Sequence, residues 1–176
     1  IIRHEHIAGF FQGGLDNRMT TARDGKGCII RHLRADIVLF HRKGCERKGN
    51  VEFRRQPTIF NNALWVPGAK IFYTLEQMGL LDTLHKNVFD AYHIEHINLN
   101  DPAVLGSWVA KQGVDRKKFE ALYNSFSIQA KATKGAKLAT TYGVNGVPTF
   151  IVDGKYSTSM SMTGSEPRLF EVLDQL

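Results

Sequence analysis

Cysteine is scarce in this chain: only Cys28 and Cys45 occur in 176 residues. They stand seventeen positions apart, which fits neither a zinc-binding pair nor a Cys-x-x-Cys redox pair. Two states stay open, one structural disulfide in an oxidising compartment or two inert thiols in a reducing one. The cysteine count by itself therefore assigns no compartment.

Long apolar runs are also missing. None approaches the roughly 18 residues that a membrane-spanning helix needs, and the first residues lack the charged, apolar and small-residue order of a secretory signal. Hydrophobic residues nevertheless make up 43% of the chain, enough to bury the core of one domain or of one domain with an insertion. We therefore expect a folded chain without a membrane helix.

Acidic residues are few in the first part of the chain. Residues 1–50 hold ten Lys and Arg against five Asp and Glu, whereas residues 51–176 hold thirteen against twelve. The basic side chains are scattered among glycines, without the aromatic platforms of a nucleic-acid surface. We expect no nucleic-acid partner.

The most informative stretch is Gly146–Tyr156, which reads GVPTFIVDGKY. A proline cannot donate to a sheet ladder, so Pro148 beside the apolar run at 149–152 predicts the head of a strand or an edge strand. The Asp153-Gly154 pair that follows predicts a two-residue hairpin turn.

Hydrophobic periodicity predicts five helices before Gly146. From Thr149 onward it predicts two strands followed by a helix. Trp65, Trp108 and the phenylalanines are interpreted as core, as are Leu64 and Val104. The run Ile37–Phe40 fits either a helix or a strand. The predicted helices cover 63–78, 80–92, Pro102 to before Gly113, 116–123 after an Asp115 cap, and Ser127 to Tyr142 with Gly143 as the stop; a strand near 155–158 and a helix from 166 or 167 to 176 follow.

Three motifs resemble the DsbA family of thiol:disulfide oxidoreductases. They are VEFRR at 51–55, Asn124-Ser125-Phe126, and YGVNGVPT at 142–149. The resemblance implies an α/β, thioredoxin-like fold with an inserted helical domain. It divides the chain into an N-terminal thioredoxin-like part at 1–61, poorly matched before 51, a helical insertion at 62–134, and a C-terminal part at 135–176 with a cis-proline loop. The N-terminal β-α part is expected to be incomplete or aberrant.

The same resemblance implies a function. Members exchange disulfides with unfolded or reduced substrate proteins in the periplasm, are reoxidised by a membrane oxidase, and use no organic cofactor. A cis bond before Pro148 would face the redox cysteine, and the Val147 backbone would pair with the substrate.

This sequence differs from the family at the redox centre, because the family's Cys-Pro-His-Cys motif is absent. The nearest placement is Gly27–Leu33, which makes Cys28 the nucleophile and puts Arg31 where the second cysteine belongs. Two alternatives stay open: a redox-inactive polypeptide-binding module in which both cysteines are incidental, or a family member with a shifted reading frame or replaced N-terminus.

Histidines offer one competing site. His4 and His6 form one pair, and His93 and His96 form another beside Glu95. Because neither pair has a second ligand set, we expect no metal.

Overall fold

A computed structural model describes the backbone of residues 2–3, 36–42, 51–60 and 63–176, and the side chains of residues 54–60 and 63–176. The chain forms two compact units. The sheet unit comprises residues 1–56 and 141–176, and the helical unit comprises residues 57–140. These units are defined by contacts, so the family-based boundaries at 61/62 and 134/135 stay a prediction.

The sheet unit is built on five strands in the order β1-β5-β4-β2-β3. Strand β4 runs parallel to β2 and antiparallel to β5, and β1 pairs antiparallel with β5. Helices α6 (Met160–Thr163) and α7 (Glu166–Gln175) follow β5. The strands are β1 Ile2–Arg3, β2 Asp36–Arg42, β3 Val51–Pro57, β4 Thr149–Val152 and β5 Tyr156–Ser159.

The segment that periodicity left undecided is a strand. Ile37–Phe40 lies within β2, with Ile37 beside Thr149 and Phe40 beside Val152. Strand β4 has neighbours on both sides and all four of its residues are buried. An unbroken apolar run is typical of a strand covered on both faces.

The hairpin between β4 and β5 is longer than predicted. Val152 pairs with Tyr156, so three residues rather than two lie between the paired positions. Asp153 and Gly154 both have positive φ, 51° and 68°, and the Lys155 N–H donates to the Val152 carbonyl at 2.9 Å. The Asp-Gly turn forms as predicted, but β5 begins one residue later than the predicted strand.

The helical unit contains the five predicted helices and one short 3-10 turn at Ala63–Trp65. Its core is a continuous cluster that includes Ile71, Leu75, Val109, Phe119 and Ile128, each at most 1% exposed. Helix α1 contacts α2 and α4, and α3 contacts α4. The helices are α1 Val66–Gln77, α2 Leu81–His93, α3 Pro102–Lys111, α4 Arg116–Tyr123 and α5 Phe126–Thr141.

Capping side chains mark the starts of α3 and α4. Asp101 accepts hydrogen bonds from the amides of Ala103 and Val104 at 2.8 and 3.1 Å, and Asp115 accepts one from Lys118 at 3.0 Å. Such side chains satisfy amides that lack an intrahelical partner. Helix α5 begins at Phe126, one residue before the predicted start.

Several residues interpreted as core are exposed. Leu64 is 68% exposed, Trp65 43% and Val104 37%, while Phe126 is 88% exposed. Helical periodicity places a residue on a face but does not show whether another element covers that face. Trp108, at 5% exposure, is in the core as predicted.

No helix in the described ranges has both the length and the apolar character that a bilayer span requires.

Candidate functional site

The candidate site is the loop that joins α5 to β4. Helix α5 ends at Thr141, and Gly143 follows with φ of 61°, a conformation that glycine adopts without steric penalty. Residues 144–148 then lead to Thr149, the first residue of β4. The predicted stop at Gly143 is therefore where the chain leaves the helix and turns toward the sheet.

Pro148 occupies the last position before the strand. The Val147–Pro148 peptide bond is cis, as the resemblance implies, and β4 is an interior strand. Because the proline precedes the ladder, its missing N–H removes no bond between β4 and its neighbours. Its position at the head of a strand is the one predicted from the sequence.

A side-chain hydrogen bond closes the loop around this bond. The Thr149 hydroxyl donates to the Gly146 carbonyl at 2.7 Å. Thr149 is only 5% exposed, whereas Val147 and Pro148 are partly exposed. Sequence reasoning did not assign Thr149 a role, although a threonine three residues after Gly146 is a recognisable local hydrogen-bonding pattern.

The backbone of Val147 remains available. Within the described parts of the chain, neither its N–H nor its carbonyl makes a backbone hydrogen bond. A partly exposed peptide unit in this state can pair with the backbone of an incoming extended segment. The residues from Tyr142 to Thr149 include no charged side chain.

Tyr142 lies at the start of the loop and is 2% exposed. Burial disfavours the phenolate and raises the pKa of Tyr142 above its usual value. The phenol therefore stays protonated across the neutral range.

The direction of β2 shows which end of this strand lies beside Pro148. In the parallel pair of β2 and β4, the chain enters β2 at the end of the sheet where Pro148 lies. It leaves at Arg42, about 16 Å along the strand from Ile37 at about 3.3 Å per residue. Cys28 precedes β2 and Cys45 follows it; both lie outside the described residues, as does Arg31.

The described histidine pair, His93 and His96, is not gathered into a metal site. His4 and His6 lie outside the described residues. His93 ends α2 and stacks on Phe89 at 5.8 Å between ring centroids. Among the residues that the structure describes, no group of three or more His, Cys, Asp or Glu side chains could hold a metal ion.

An interior strand headed by a cis-proline loop, with five helices inserted ahead of it, defines the class of thioredoxin-like proteins with a helical insertion. The family model described as DSBA-like thioredoxin domain matches residues 49–174. The chain belongs to this family.

Two comparisons set the scale of the similarity. The thiol:disulfide interchange protein DsbA of Burkholderia cepacia is 39% identical over 127 residues, which cover 72% of this chain and 59% of that protein. The crystal structure of Pseudomonas aeruginosa DsbA matches with a TM-score of 0.68 at 32% identity, covering 80% of this chain and 81% of that one. The chain thus spans about 60% of the length of the curated relatives it matches.

A third comparison concerns the fold alone. Proteus mirabilis DsbA, in a variant solved with a non-covalently bound peptide, matches with a TM-score of 0.64 at 16% identity. It shares the architecture of this chain.

Proposed function

We propose that this protein is a thiol:disulfide interchange protein whose substrate-binding loop is intact and whose redox centre is altered. The observation that carries the proposal is the loop itself. The peptide groups of Val147 are open, and Pro148 stands at the head of a buried interior strand in a chain that belongs to the DSBA-like family.

The binding step uses backbone recognition. An extended substrate segment would pair with the Val147 N–H and carbonyl by β-augmentation, which gives affinity without requiring a particular sequence. The Thr149–Gly146 hydrogen bond holds the loop in the shape that presents these groups. The peptide bound by the Proteus mirabilis protein is a precedent within the fold.

The chemical step is assigned to Cys28. This residue stands eight positions before Asp36, and a chain of that length reaches at most about 29 Å, so it can return to the Pro148 end of β2. The Cys28 thiolate would attack a substrate disulfide, forming a mixed disulfide and releasing one substrate thiolate. A second thiol would then attack the mixed disulfide and restore the Cys28 thiolate.

Arg31 at the position of the second cysteine limits the reaction. A single thiol can exchange disulfides, but it cannot hold a Cys-x-x-Cys disulfide and donate it. We therefore expect interchange between substrate disulfides rather than net oxidation of dithiols.

The test is turnover of insulin disulfides with dithiothreitol as the reductant, with Cys28→Ser as the variant and Cys45→Ser as its matched control. We expect catalysis by the parent chain and by Cys45→Ser, and loss of catalysis in Cys28→Ser. Equal turnover in all three proteins would contradict the role of Cys28.

A redox-inactive polypeptide-binding module is the second candidate. One feature favours it. The hydrogen bond that closes the loop joins Thr149 to Gly146, so this bond does not depend on a cysteine. In that case no protein turns over insulin, while an extended unfolded peptide binds equally well to the parent and to Cys28→Ser.

The setting follows from the family. By resemblance to the family, we infer the periplasm as the compartment and reduced or unfolded proteins as substrates; a membrane oxidase would be a further partner only where a second cysteine completes the redox centre, as in the reading-frame alternative. The reading-frame alternative is tested by sequencing the encoding DNA across codons 1–60: a Cys-x-x-Cys motif after an aromatic strand in another frame would replace the altered centre with an ordinary one.

A further inference from the structure

The loop contains a dipeptide whose asparagine side chain and glycine N–H have no part in the proposed function. Asn145-Gly146 is the only Asn-Gly pair in the sequence, and it lies directly before Val147. Asn145 is exposed and stands in a segment without helix or strand. We propose that Asn145 is a site of spontaneous deamidation, which converts the loop to aspartate and isoaspartate forms as the protein ages.

The reaction needs only the chain and water. The Gly146 backbone nitrogen loses its proton and attacks the side-chain carbonyl carbon of Asn145. A nitrogen–carbon bond forms in a five-membered succinimide, and the side-chain amide leaves as ammonia. Water then opens either carbonyl, which yields aspartate or isoaspartate with no change in oxidation state.

Hydrogen bonding of the attacking nitrogen separates Asn145 from the other asparagines that the structure describes. Within the described ranges, the Gly146 N–H makes no backbone hydrogen bond. The nitrogens after the exposed or loop asparagines Asn98, Asn100 and Asn124 are engaged: Leu99 donates to Ile97 at 2.9 Å, Asp101 to Asn98 at 3.1 Å, and Ser125 to Leu122 at 2.9 Å. Asn87 lies inside α2, where the next amide belongs to the helix.

Local space also favours the reaction. A Cβ added at Gly146 would have no atom within 4 Å, so the chain around this residue is uncrowded. Glycine leaves its own nitrogen unshielded by a side chain. An unengaged amide in open space can rotate into the approach that ring closure requires.

The products would change the loop in two ways. Either product places a carboxylate in the stretch from Tyr142 to Thr149, which otherwise has no charge. Isoaspartate also adds a methylene to the main chain next to Gly146, whose carbonyl accepts the hydrogen bond from Thr149. A consequence for substrate binding at Val147 rests on the proposed function, whereas the modification itself does not.

The experiment is a peptide map of the full chain after incubation in warm, mildly alkaline buffer. Trypsin cleavage after Lys137 and Lys155 isolates residues 138–155, which contain Asn145 as their only asparagine. We expect this peptide to gain the mass of an amide-to-acid exchange and to split into two chromatographic forms. The peptide at 119–131, which contains Asn124, is the internal comparison and should keep its mass.

Gly146→Ala is the matched variant, because the open space accepts its methyl group. It should retain the folded far-UV and near-UV spectra and lose nearly all of the mass change. An unchanged mass in the parent peptide, or equal conversion in Gly146→Ala, would overturn the proposal.

Binding of an unfolded peptide to aged protein and to Asn145→Asp then tests whether deamidation changes substrate binding at Val147. Weaker binding by aged protein, with Asn145→Asp closer to the fresh parent, assigns the loss to the added backbone atom. Mass change without any change in peptide binding would leave the deamidation standing and count against the proposed role of the loop.

Discussion

The helical unit is one continuous stretch of chain, whereas the sheet unit is assembled from two stretches on either side of it. In the first, α3 and α4 begin at the capping side chains Asp101 and Asp115, and the core forms within that single stretch of chain. In the second, β4 depends on β2, which lies more than a hundred residues earlier in the chain. Local order and long-range pairing thus stabilise different halves of the same protein, and they should respond differently to mutation.

The strongest test removes a ring from the buried strand. Phe150 is 1% exposed in β4, so Phe150→Ala should lower the free energy of unfolding by about 3–5 kcal/mol, since a large side chain is lost and a cavity is left. Phe126→Ala is the matched control, because Phe126 is 88% exposed and its loss should change stability by no more than about 0.5 kcal/mol. Denaturant unfolding measures both. Equal losses would show that Phe126 is covered in solution.

A smaller effect is expected from a local signal in the helical unit. Asp101→Ala removes the acceptor for the amides of Ala103 and Val104 and should lower the free energy of unfolding by about 1 kcal/mol. Asp101→Asn keeps an oxygen at the same place and should restore most of the loss. Thermal unfolding of the parent, Asp101→Ala and Asp101→Asn measures these differences. If asparagine does not restore stability, the charge of Asp101 matters rather than its capping hydrogen bonds.

The third predicted effect is a change in the free energy of unfolding that is absent at neutral pH and appears only at alkaline pH. Burial raises the pKa of Tyr123 in the helical unit and of Tyr142 in the sheet unit above the usual value of 10.0. Above about pH 10 the unfolded chain therefore binds fewer protons than the folded one, so stability falls as the pH rises. Tyr142→Phe should flatten this fall in an unfolding series across the alkaline range.

Tyr123 gives a contrasting case because Lys70 lies beside it. The Lys70 ammonium stands 4.0 Å from the Tyr123 ring centroid, and burial lowers the pKa of Lys70. A lowered lysine pKa makes stability rise with pH below the usual value of 10.5, which opposes the tyrosine. Both tyrosine variants keep Lys70 and its rising component, so Tyr123→Phe and Tyr142→Phe should each flatten the fall in stability above about pH 10. A variant that leaves this fall unchanged would contradict the effect of burial on its tyrosine.

Much of the helical unit was predictable from sequence. Asp101-Pro102 and Asp115 mark helix starts that the structure shows, because a capping side chain acts on amides only two or three residues away. The position of the candidate loop was also predictable, because the rule that confines proline to the start or edge of a strand depends on local geometry. The exposure of Trp65 and Phe126 was not, because it depends on what covers each helix face.

The sequence by itself determined the family, the boundaries of α1–α5 and α7 to within a few residues, and the position of the loop around Val147 and Pro148, but not the short helix α6. Only the tertiary structure decided that Ile37–Phe40 is a strand, that it runs parallel to β4, and that the hairpin loop has three residues. The physical reason is range: caps, turns and proline act over a few neighbouring residues, whereas strand pairing joins segments whose separation the local pattern does not record.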